Sequence, residues 1–160
     1  MSQLTFQNQS VLDVAGEYLK TYREVLKALD DKAQENINVS SIIVAIVGAF
    51  NTPQAGSGGQ FDQRLILSIF LAYGLVFILS YWARFPRGMA VTPWEPSWEA
   101  ARKFAALPLE QYYPQLVSGY VKGIEANREV AKFKAFLVRI ATFFIGAIVV
   151  FILLGIASSR

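Results

Sequence analysis

The sequence predicts an all-α integral membrane protein: three transmembrane helices, two of them extended into a cytoplasmic, coiled-coil-like helical stalk. Three observations carry this. Hydrophobic residues make up 54% of the 160 and charged residues only 17%, where a soluble domain carries about 25% charged. Two stretches of membrane-spanning length contain no charge. The segments leading into two of the three apolar stretches repeat their apolar residues every seven positions. The length suits a single membrane domain.

The first element is a helix over 9–36. Leu12, Leu19, Leu26 and Ala33 recur every seven residues, and Ala15, Tyr22 and Leu29 recur three positions later, flanked by Val11, Tyr18 and Val25. That period is the one that lets helices supercoil around a shared seam. Ser10 or Asp13 is the expected cap. No Gly or Pro separates this helix from the apolar run after it, so a stalk is expected to run unbroken into transmembrane segment 1, residues 37–54. An outer loop follows at 55–64, beginning in the Gly/Pro/Ser-rich stretch NTPQAGSGGQ of residues 51–60.

Transmembrane segment 2 spans 65–83. It holds 19 uncharged residues, close to the ~20 needed to cross ~30 Å of hydrocarbon. Tyr81 and Trp82 end it and Arg84 and Arg87 follow, the order of an aromatic belt and then a cytoplasmic flank. Residues 84–135 comprise a Pro/Trp-rich insert, with a short helix expected over 97–106 behind a Ser97 cap, and then a helix from about 109. In that helix Val117, Ile124, Ala131 and Val138 are seven apart, as are Tyr113, Tyr120, Asn127 and Lys134. It is expected to run without a break into transmembrane segment 3, residues 136–157. The two stalks are expected to bury their stripes against each other, and against further copies of the chain.

Charge sets the orientation. Lys20, Arg23, Lys27 and Lys32 precede the first span; only Arg64 lies in the loop 51–64; Arg84, Arg87, Arg102, Lys103, Lys122, Arg128, Lys132 and Lys134 fill the second inner segment. Basic residues stay cytoplasmic, so the N-terminus is expected inside and the C-terminus outside. The charged residues of 13–35 do not read as a secretory signal.

Composition also excludes chemistry. The chain has no Cys and no His, which removes disulfides, thiol nucleophiles, imidazole triads and Cys/His metal sites. No metal and no cofactor is expected. Asp30 and Asp31 are adjacent, so on a helix they point about 100° apart and form no acid/base pair; no enzymatic activity is expected. A net charge of +3 suits anionic lipid, not a nucleic acid polymer.

The residues with binding chemistry cluster around the inner boundary. Lys32, Arg84, Arg87, Arg102, Lys103 and Lys134 could build a basic pocket, since Arg forks bind phosphate bidentately. Trp94 and Trp98, with Tyr112, could stack on a planar ligand. The plainer reading is that the cations snorkel or pair between helices, and that the tryptophans anchor the interface.

At these residues the chain resembles the small transmembrane effectors of bacterial anti-phage signalling, of the Pycsar type, and the related SLATT-like domains. Asp30, Lys32 and Ala33 match an Asp-x-Lys-Ala step before the first span. Pro86 and Arg87 match a Pro-Arg pair after the second, and Asn127, Ala131 and Lys134 match an Asn, small residue and Lys leading into the last. The Pro/Trp-rich insert is longer than the family leads one to expect. The resemblance implies a non-enzymatic effector in the bacterial inner membrane that responds to a cytoplasmic cyclic nucleotide and disrupts the membrane as a homo-oligomer. The alternative is an accessory or scaffold subunit that docks other membrane-complex subunits and binds no ligand.

Overall fold

A computed structural model describes residues 2–50, 63–85 and 108–158. The described residues are all-helical, in three helices: α1 (Ser2–Phe50), α2 (Gln63–Arg84) and α3 (Leu109–Ser158). Nothing in SQLTFQNQ breaks a helix, and α1 runs through both Ser10 and Asp13. Neither is therefore a cap, and the helix begins at residue 2 rather than 9. It ends at Phe50, so the last four residues of the expected first span lie outside the described residues, as does the expected helix over 97–106.

The N-terminus of α3 is built around proline. The Pro108 carbonyl accepts from the amides of Gln111 (2.9 Å) and Tyr112 (3.0 Å). Pro114 stands inside the helix and removes one backbone hydrogen bond near its start, where disruption is least costly. From there α3 continues through Gly119 and Gly123 into the apolar stretch.

Two helices are long and apolar enough to cross a membrane: α2 over Gln63–Arg84, with hydropathy 2.1, and α3 within Gln111–Ala157, with hydropathy 2.8. Only 22% and 17% of their most apolar windows are buried, whereas the core helix of a soluble protein would hide most of its apolar surface. Large apolar side chains such as Leu67, Phe70, Leu71, Phe143, Leu153 and Leu154 are exposed. α1 is not one of these two helices.

The chain divides into two compact units. One is formed from Met1–Lys27 and Pro86–Lys132. In it α1 buries Leu19 and Leu26 while α3 buries Leu116, Asn127 and Ala131. The seven-residue stripes read in the sequence are therefore used within the chain.

The other unit, Ala28–Phe85 with Phe133–Arg160, is a three-helix bundle. One apolar cluster joins Val47 of α1, Ile69, Ala72 and Val76 of α2, and Ala141 and Ile148 of α3. A second joins Ala33, Ala83, Leu137 and Val138. Late α1 meets early α2, and early residues of this part of α1 meet the end of α2, so these helices run antiparallel. α3 runs parallel to α1. Ala33 and Ala83 are fully buried, and small side chains at such a crossing let backbones approach closely.

Candidate functional site

The site lies at the Ala33–Ala83 end of the bundle. Asp30 and Gln34 are one turn apart on α1 and share a face. Lys134 of α3 donates to Asp30 Oδ1 at 2.5 Å. Arg84, at the end of α2, donates to Gln34 Oε1. Two cations from two helices thus converge on one face of α1, beside the apolar cluster of Ala33, Ala83, Leu137 and Val138.

Burial separates the partners. The Lys134 side chain is 6% exposed and Asp30 35%. Lys134 is the one charged residue buried among the described residues. A buried ammonium must be paired or it costs several kcal/mol, roughly, so Asp30 is what permits Lys134 to sit there in its charged form.

A polar seam continues into the bundle. The Asn36 amide donates to Thr142 Oγ1 (3.1 Å) and to the Val138 carbonyl (3.4 Å). Ser40 Oγ donates to the Asn36 carbonyl at 2.8 Å, and Ser41 Oγ and Tyr73 Oη share a hydrogen bond of 3.2 Å. Ser80 Oγ is buried without a partner. α1 is therefore tied to α3 by Asp30 and Asn36, and to α2 by Gln34 and Ser41.

Of the residues singled out in the sequence, the structure brings Asp30, Ala33, Arg84 and Lys134 together. Lys32 is not with them. Two residues beyond Asp30, it lies about 200° round the helix, half exposed, and pairs with Glu35 at 2.9 Å. Lys32 and Lys134 each pair with a carboxylate, whereas the partner of Arg84 is the neutral amide of Gln34, which leaves its charge unneutralised. Asn127 is fully buried and Ala131 nearly so, both in the other unit. Tyr112 is half-buried there. Pro86, Arg87, Trp94, Trp98, Arg102 and Lys103 lie outside the described residues. On the exposed side of α3, Lys132 hydrogen-bonds Glu129 at 2.7 Å and so holds that carboxyl below its ordinary value.

Gln34 and Asn36 were missed in the sequence. Asn36 carried a signal. It continues the Ala15, Tyr22, Leu29 series by another seven residues, and a polar residue at a core position of a heptad asks for a partner across the seam. Gln34 carried none, since an exposed-looking Gln before an apolar run is ordinary.

No protein-family model matches this chain, and neither does any curated protein or solved structure.

Proposed function

We propose that the chain is a non-enzymatic effector of the bacterial inner membrane, with three spans over 37–54, 65–83 and 136–157, N-terminus inside and C-terminus outside. It acts as a homo-oligomer, and a cytoplasmic anionic ligand of the cyclic-nucleotide class switches it. The observation that carries this reading is the Asp30–Lys134 and Gln34–Arg84 cluster at one end of a bundle whose outer surface is apolar. Charge gathered at one end of such a bundle suits a boundary between lipid and cytoplasm. The resemblance to anti-phage effectors supplies the class of ligand and the mode of action.

In this reading the ligand's phosphate draws on Arg84 first, which gives up a neutral amide for a charged partner. Lys134 stays with Asp30 unless the helices move. The sequence offers Arg87, Arg102 and Lys103 as further phosphate-binding residues and Trp94 or Trp98 as a stacking residue, stacking being worth about 1–3 kcal/mol.

Titration calorimetry of the detergent-solubilised protein with a panel of cyclic mononucleotides and dinucleotides tests this. One of them should release heat and raise the melting temperature, and Arg87→Ala or Trp98→Ala should abolish both while the protein stays inserted. A panel that gives no heat removes the ligand. It would leave the second reading, a scaffold subunit of a larger membrane complex with no ligand of its own.

A further inference from the structure

We infer that α1 carries a second seam, distinct from the one used inside the chain, and that its occupant is the α1 helix of a second copy. The inference rests on the oligomeric part of the proposed function and assigns its interface.

With Leu19, Leu26, Ala33, Ser40 and Val47 as heptad position a, the buried residues of α1 fall at a and at Asn36, position d. The exposed large apolar residues of α1 among the described residues are Val14, Tyr18, Val25, Val39, Ile42 and Ile46. Each falls at c or g. These positions are neighbours on the helix surface and form a continuous stripe, with Thr21, Ala28 and Ala49 filling gaps in it. Thr21 turns its hydroxyl back onto the Glu17 carbonyl at 3.0 Å, which lowers its polarity further.

Lipid does not account for the part of the stripe before residue 37. A helix bathed in lipid is apolar on every outward face, but between 13 and 28 the positions b, e and f are, apart from Gly16, all charged: Asp13, Glu17, Lys20, Arg23, Glu24 and Lys27. There, apolar c and g residues sit on an otherwise charged surface, as they do when a helix serves two partners at once.

Charge selects the occupant. The stripe's charges are Lys32 at g and Glu35 at c, one turn apart and already paired at 2.9 Å. It is therefore net neutral and self-complementary: beside a copy of itself, each Lys32 can reach the Glu35 of the other helix. Copies inserted in one membrane also share orientation and depth. Two α1 helices related by a two-fold axis along the membrane normal bring like positions to the same level without any search in register.

The chain has no cysteine, so a single introduced thiol can report the contact. Disulfides form only when Cβ atoms come within about 4.5 Å. In native membranes under mild oxidation, Val25→Cys and Ile42→Cys should convert most of the protein to a covalent dimer. Lys20→Cys and Lys27→Cys, exposed at position b, should leave it monomeric on a denaturing gel. Equal cross-linking at all four sites would mean random collision and would overturn the seam. Cross-links confined to position b would overturn the seam but keep the oligomer. No cross-link anywhere, with a monomeric mass by light scattering, would remove both.

Discussion

Asp30→Ala should destabilise the protein by about 3 kcal/mol, toward the lower end of the range for breaking a buried ion pair, while Asp30→Ala with Lys134→Met should recover most of the loss. The asymmetry follows from exposure. Removing Asp30 strands an ammonium that is 6% exposed, whereas removing Lys134 strands a carboxylate that is 35% exposed and open to water. Lys134→Met alone should therefore cost less than Asp30→Ala alone. The double variant leaves no charge to strand, and apolar replacements of a buried pair are often neutral. Unfolding midpoints in detergent micelles give all three values. Equal losses in the single and double variants would mean that the pair does not couple α1 to α3.

The second large effect compares the two units. Leu26→Ala should cost about 2–5 kcal/mol, the sum of lost transfer energy and a cavity, because Leu26 is 1% exposed in the unit proposed to stand in water. Ile148 is equally buried, in the apolar cluster of the other unit. If that unit lies in lipid, the unfolded side chain finds an apolar solvent as well, so that Ile148→Ala loses packing but little transfer energy. Its cost should be clearly smaller. Two equal costs would place both side chains in the same kind of core and count against a membrane bundle.

The parts of this molecule that were legible in the sequence are those with local period. Leu19, Leu26 and Ala33 announced a seam by spacing alone, and all are buried. The charge-free runs announced α2 and the second half of α3. The absence of Gly and Pro between residues 17 and 47 announced that α1 would not break. Pairing between helices was expected, but which residues pair was not legible. Asp30 and Lys134 were both singled out, but a partner 104 residues away leaves no trace in a local pattern. Lys32 was grouped with Lys134 because both precede apolar runs. Helical rotation, which depth along the chain does not reveal, puts it on another side. The start of α1 was misplaced because Ser10 and Asp13 look like caps, yet a capping residue terminates nothing when the residues before it are equally compatible with helix.

The proposed function depends most on three crossings of the membrane, which would put the end of the bundle that carries Asp30, Arg84 and Lys134 on the cytoplasmic side. α2 and α3 are each apolar enough to cross, so the decision falls on α1 between residue 37 and its end. Fusing alkaline phosphatase, active only outside, and a fluorescent protein, active only inside, after Arg160 in turn measures it directly. If the N-terminus is inside, as its basic residues predict, three crossings make the phosphatase fusion active and the fluorescent fusion dark, and two crossings reverse both. With a fusion after Gly59, phosphatase activity should again appear. A dark phosphatase after Gly59 would show that α1 does not cross, and would contradict the placement of the charged cluster at the inner boundary.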